Sequence, residues 1–180
     1  MGTFSERNLT ASHSASYFRS RLLVSKSVSS PVYYKMTLNR PASSVTAVST
    51  RLFLGSLSDA EQLAKDNPHQ IRTVISLCEK RAKQRAAGIR YLQFPVRDAR
   101  PIAVAWLNAI LISIEDGMAR GRELVHCGAG MSRAPTVVAA PLDRVGFLDF
   151  DRALSYLENL RPAVAPSKAL VESIARELSH

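Results

Sequence analysis

The sequence predicts an α/β domain, a mostly parallel central sheet flanked by helices, and three observations carry that reading. Short apolar runs alternate with longer stretches in which apolar residues recur at helical spacing, the pattern of strands joined by crossover helices. The run from Thr73 to Cys78 is mostly apolar and β-branched at its start, as in a strand covered on both faces. A second short strand, Leu124 to His126, leads through Gly128 and Gly130 into an apolar helical stretch from Pro135 to Leu142.

The elements follow in order. Residues 1–43 are rich in serine and arginine and poor in acids, and Pro31 and Pro41 punctuate them. They form an N-terminal extension with three accounts: a disordered or loosely packed tail, an organelle transit peptide, or a segment that packs on the domain. The domain proper is expected over 44–180. Arg51 to Gly55 is strand-like, and Ser58-Asp-Ala-Glu61 forms a capping box that opens a short helix through about Lys65. Glu79 to Arg85 is charged and solvated. Arg90 to Phe94 alternates as a strand, and Pro95 to Asp98 leaves the sheet as a loop. Pro101 starts a helix whose stripe Trp106, Ala109, Ile110 and Ile114 faces the core, so Trp106 is expected to be buried. Pro141 is expected to kink or shorten the helix after the glycine turn. Asp149 caps a helix with Phe150, Ala153, Leu154 and Leu157 on one face, and Pro166-Ser167 opens the last helix, through about Leu178.

Composition narrows the class. With 180 residues and 46% hydrophobic content the chain can bury one core. Two cysteines cannot build a disulfide framework, and no run of about 18 apolar residues spans a membrane. A soluble protein of a reducing compartment, the cytoplasm, is expected, with organelle import if the extension is a transit peptide. The net charge is +9, and residues 51–180 hold 18 basic and 14 acidic residues, an excess of +4. That bias suits phosphorylated substrates as well as plain solubility. No basic patch with interleaved aromatics points to nucleic acid. Nothing in the pattern implies a metal or a cofactor, and the oligomeric state leaves no signal.

Residues 126–133, His-Cys-Gly-Ala-Gly-Met-Ser-Arg, carry the chemistry. Gly128, Ala129, Gly130, Met131 and Ser132 lie between a strand end and a helix N-terminus, where successive backbone N–H groups and the helix dipole bind oxyanions. The same field favours a thiolate at Cys127, at the mouth of this cradle. Arg133 can grip two phosphate oxygens in a planar fork while Cys127 attacks phosphorus. His126 holds the loop or supports the thiolate by hydrogen bonding. A phosphocysteine intermediate is the expected chemistry.

An alkoxide leaves slowly unless a proton reaches its oxygen, so a carboxylic acid is needed near the cradle. Asp98 is the candidate, on a loop after Pro95 and 29 residues before Cys127. Glu115 and Asp116 are weaker rivals because they fall on the helix.

The stretch HCGAGMSR resembles the signature loop of the cysteine-based protein tyrosine phosphatase superfamily, most closely its dual-specificity branch with loops of the form HCxAGxSR. The resemblance covers roughly residues 44–178 and implies a dual-specificity-phosphatase-like fold. It supports Asp98, since the family's general acid lies about this far upstream, often after a Tyr-x-x-x-Pro stretch matched by Tyr91 and Pro95. It also implies a departure. The family usually has a hydroxyl after the arginine to assist hydrolysis of the phosphocysteine, and here Ala134 stands there, which implies slower turnover. Some relatives carry a cysteine in the context of Cys78 that traps the oxidised nucleophile as a disulfide, the alternative for Cys78 being packing alone. The function implied is hydrolysis of phosphotyrosine, and of phosphoserine and phosphothreonine, on a phosphorylated protein substrate. The alternatives are a glucan or other non-protein phosphatase and a low-turnover phosphate-binding module.

Overall fold

The computed structural model describes residues 45–144 and 146–179, so the extension predicted over 1–43 lies outside the described residues. The strands are β1 (Thr46–Ala47), β2 (Leu52–Ser56), β3 (Ile71–Ser76), β4 (Arg90–Gln93) and β5 (Arg122–Cys127). The helices are α1 (Leu57–Gln62), α2 (Val104–Arg120), α3 (Arg133–Arg144), α4 (Phe150–Leu160) and α5 (Lys168–Leu178). One sheet runs in the order β1-β2-β5-β3-β4, with only the β1–β2 pair antiparallel. The four parallel strands therefore end at one edge of the sheet, the edge where open α/β folds place their ligands.

Alternation along the strands divides the core. Leu52, Leu54, Ile75, Leu77, Val125 and Cys127 join the large cluster with α2–α5, whereas Phe53, Val74 and Leu124 face a smaller cluster with Ala60 and Leu63. Asp149 accepts from the Arg152 N–H and caps α4, which buries Phe150, Ala153, Leu154 and Leu157, as the sequence predicts.

Several expectations shift. The first capping box is formed by Ser56 and Asp59, not Ser58 and Glu61, because Ser56 ends β2 in the extended conformation an N-cap requires. The strands predicted from Thr73 and Leu124 begin two residues earlier, at Ile71 and Arg122. Pro141 does not end α3, which runs three residues further to Arg144; so close to the end, proline removes only one helical donor. Trp106 is not core but 41% exposed. The buried face of α2 is Leu107, Ile110, Leu111, Ile114, Gly117 and Met118, so Ile110 and Ile114 face the core as predicted, Ala109 is half-buried, and Leu107 takes the place expected for Trp106. Tryptophan carries an N–H that needs an acceptor, and at the rim Trp106 Nε1 donates to the Pro95 carbonyl at 3.2 Å while its ring meets Phe94 edge-on.

Glu123, in β5, is fully buried against Gly117 of α2, and among the described residues neither carboxylate oxygen has a hydrogen-bond partner. Burial pushes its carboxyl well above the ordinary 4.5, with Asp116 adding to the rise. The folded state thus holds a proton that the unfolded chain releases once pH exceeds about 4.5, and stability falls as pH rises through that window. Glu123→Gln should raise the melting temperature by a margin that widens with pH, up to about 1.4 kcal/mol per pH unit. Melting curves at several pH values check this; a gap independent of pH counts against it.

Candidate active site

The loop between β5 and α3 is held by its carbonyls. Gly128 O accepts from Leu57 N–H (3.1 Å), Ala129 O from Arg161 Nη2 (3.3 Å) and Met131 O from Ala165 N–H (2.8 Å). Ser132 O accepts from both the N–H and the hydroxyl of Thr136. A trans peptide sets the carbonyl of one residue opposite the N–H of the next, and no peptide bond here is cis. With these carbonyls directed out to the surrounding protein, the N–H groups of Ala129, Gly130 and Ser132 turn to the inside of the loop. Among the described residues none of the N–H groups from Gly128 to Arg133 donates to a protein acceptor. Such an arc of N–H groups ahead of a helix N-terminus attracts an oxyanion.

The glycine at 130 is required twice over. Its φ is +70°, and a Cβ there would lie 2.6 Å from the Gly55 carbonyl oxygen. The loop can descend onto β2 only because position 130 has no side chain.

Cys127 is the last residue of β5, paired in register with Ser56, and is 2% exposed. His126 is 1% exposed, and burial holds its imidazole below the ordinary value. Its Nδ1 lies 3.2 Å from the Cys127 carbonyl, which can only accept, so Nδ1 carries the proton and ties down the first peptide of the loop.

Arg133 folds back over the loop: a Cβ on Gly128 would sit 3.3 Å from its Nη2. Nη1 donates to the Val96 carbonyl at 3.2 Å, and Nε lies 3.6 Å from Asp98 Oδ2. Asp98 also accepts from the Ser132 hydroxyl at 3.1 Å. Thus Asp98, distant in sequence, meets Ser132 and Arg133 of the loop that follows Cys127 at one edge of the sheet. Glu115 and Asp116 do not; Asp116 pairs with Arg90 and Arg120 on the surface. The Met131 side chain, on the loop itself, is exposed.

Cys78 lies two residues beyond β3. Its Sγ is 3.6 Å from Ser76 Oγ and bonds to the Lys80 carbonyl at 3.3 Å. Ser76, which this thiol faces, is the register partner of His126. Both cysteines are free.

Three supports of the site carry no catalytic signal in the sequence. Arg161 holds the loop at Ala129, Ser167 N–H donates to the Ser132 hydroxyl at 3.2 Å, and Leu57 N–H holds Gly128. Only the fold shows that the Arg161 guanidinium reaches the loop.

A parallel sheet carrying a cysteine at the end of its central strand, with an N–H-lined loop and an arginine opening the next helix, is the architecture of the cysteine-based phosphatases. The profile for "Dual specificity phosphatase, catalytic domain" matches residues 52–177, and the chain belongs to this family of protein phosphatases. Dual specificity protein phosphatase 18 of Mus musculus is 28% identical over 135 residues, 72% of this chain and 70% of that protein. A "Probable dual specificity protein phosphatase" of Dictyostelium discoideum is 28% identical over 123 residues, 68% of this chain, and the chain spans only 58% of that relative's length. The crystal structure of DUSP15 superposes with a TM-score of 0.68 at 26% identity, covering 74% of this chain and 86% of that one. The glucan phosphatase and the low-turnover binding module are not favoured by these matches. Among the described residues no helix is long and apolar enough to cross a membrane.

Proposed function

We propose that this chain hydrolyses phosphotyrosine, and phosphoserine and phosphothreonine, on protein substrates through a phosphocysteine intermediate. The observation that carries the reading is the convergence of Cys127, the inward N–H arc, Arg133 and Asp98 at one sheet edge. Cys127 Sγ attacks phosphorus and the ester oxygen departs with the proton of Asp98. Arg133 then exchanges its contact with Asp98 for two phosphate oxygens, and the residues 128–132 hold the others through their N–H groups. Water cleaves the S–P bond and returns a proton to Asp98, releasing inorganic phosphate. A thiol nucleophile suits a reducing compartment such as the cytoplasm. Phosphate release from para-nitrophenyl phosphate and from phosphopeptides tests the reading; no release from either substrate overturns it.

Asp98→Asn should slow substrates with poor leaving groups by about 10²-fold or more while barely touching those with good ones, which need little protonation. Equal slowing across a series of substituted phenyl phosphates assigns Asp98 a structural role. Ala134 is fully buried in the first turn of α3, in the same large core cluster as Cys127. Ala134→Ser supplies a hydroxyl next to the phosphocysteine and should speed its breakdown several-fold, about 1 kcal/mol of barrier. Rapid-quench measurement of phosphoenzyme decay checks this, and an unchanged decay rate counts against it.

A further inference from the structure

The parallel strands bring a concentration of positive charge to one side of the phosphate loop. The segment after β3 carries Lys80, Arg81, Lys83 and Arg85, and the loop after β4 carries Arg97 and Arg100 on either side of Asp98. The only acids in these two segments are Glu79 and Asp98, and Asp98 already contacts Arg133 and Ser132. All six cations are exposed, and among the described residues none forms an ion pair; Arg85 lies over the Tyr91 ring. Because residues 51–180 hold an excess of only +4, the rest of the domain is close to balanced. The charge is a local feature.

Both segments are pinned close to the loop. Gln93 Nε2 donates to the carbonyls of Cys78 (2.6 Å) and Glu79 (3.2 Å), and Lys83 N–H donates to Glu61 Oε1 at 2.8 Å. Glu61 is one turn of α1 beyond Leu57, which holds Gly128, a rise of about 6 Å. Val96 N–H bonds to the Leu77 carbonyl, and the Val96 carbonyl receives Arg133. In the sheet order β3 and β4 both lie on the same side of β5, whereas β2 lies on the other. The cationic rim is therefore one-sided.

Resting on the phosphatase reading above, we propose that the rim formed by Lys80, Arg81, Lys83, Arg85, Arg97 and Arg100 selects phosphopeptides with acidic side chains on one flank of the phosphorylated residue. Strands lie about 4.8 Å apart, so the β4 end is about 10 Å from that of β5. An extended peptide advances about 3.3 Å per residue, which puts the acidic positions roughly two to four residues from the phosphorylated one. Several exposed pairs together raise affinity and encounter rate although each is weak, and they respond to salt.

The experiment uses three versions of one phosphotyrosine peptide, with glutamates confined to the N-terminal flank, confined to the C-terminal flank, or absent. Binding to Cys127→Ser protein is measured by anisotropy, and kcat/KM with the active chain. One acidic flank should improve binding about tenfold over the neutral peptide and the other should not, with the gain lost at high salt. Lys80→Ser/Arg81→Ser/Lys83→Ser should remove most of that gain and leave turnover of para-nitrophenyl phosphate unchanged. Equal binding of all three peptides, or equal gains from both flanks, overturns the proposal even if para-nitrophenyl phosphate is turned over. Tighter binding to phosphatidylcholine vesicles doped with phosphatidylserine than to any peptide overturns it in favour of a membrane surface. Absence of phosphate release from both para-nitrophenyl phosphate and the phosphopeptides defeats the phosphatase reading instead, while the binding arm still decides the rim.

Discussion

Cys127→Ser is expected to abolish turnover, by roughly four orders of magnitude or more, equivalent to about 5.4 kcal/mol of barrier. The substitution exchanges one atom in a position that is 2% exposed and ends a fully paired central strand, so the fold has little reason to respond. The chemistry does respond. A serine hydroxyl stays protonated near neutral pH, and among the described residues no side chain is hydrogen-bonded to the position in the manner of a general base. The N–H arc does not depend on sulfur, because its carbonyls are fixed from outside by Leu57, Arg161, Ala165 and Thr136. Melting temperature and phosphopeptide binding should therefore survive while single-turnover phosphate release disappears. Residual activity within about tenfold of the parent sinks the covalent mechanism.

Arg133→Lys should cost about 10²- to 10³-fold in kcat, the range seen when a preorganised donor to developing charge is removed. Arginine here does two things that an ammonium cannot do at once: its Nη1 is anchored on the Val96 carbonyl while the rest of the planar group spans the loop. Lysine has neither the fork nor a second anchoring nitrogen. Because the contact with Asp98 involves Arg133 Nε, the variant should also blunt the dependence on leaving group that Asp98 confers. A loss confined to KM, with kcat within a few-fold, moves Arg133 from the reacting phosphate to ground-state binding.

The proposed catalytic loop is legible because its residues are local. A cysteine at a strand end, two glycines and an arginine six positions on lie within one turn and one helix start, so spacing alone predicts an anion cradle. The need for an acid on a loop points to Asp98, and the structure sets that side chain beside Ser132 and Arg133. Helix α4 followed from one capping aspartate and one apolar face, and both appear as expected.

Other features were decided by packing between elements distant in sequence. Ile110 and Ile114 of α2 face the core as the spacing predicts, but at the start of the helix Leu107 rather than Trp106 is buried, and Trp106 lies at the rim, where it ties down the carbonyl of Pro95 three residues before Asp98. Glu123 reads as the polar start of a strand, yet the sheet register carries it under Gly117 with no hydrogen-bond partner among the described residues. Cys78 illustrates the same limit, because sequence places it near the strand end whereas only the fold sets its thiol against the Ser76 hydroxyl and the Lys80 carbonyl. Local spacing made the fold class legible, and it points to Cys127 and residues 128–133 as the proposed nucleophile and anion cradle. Only the tertiary structure decided what holds the loop carbonyls outward, which acid reaches Arg133 and where the positive charge collects, because each depends on strand order and register, which relate residues that the chain keeps far apart.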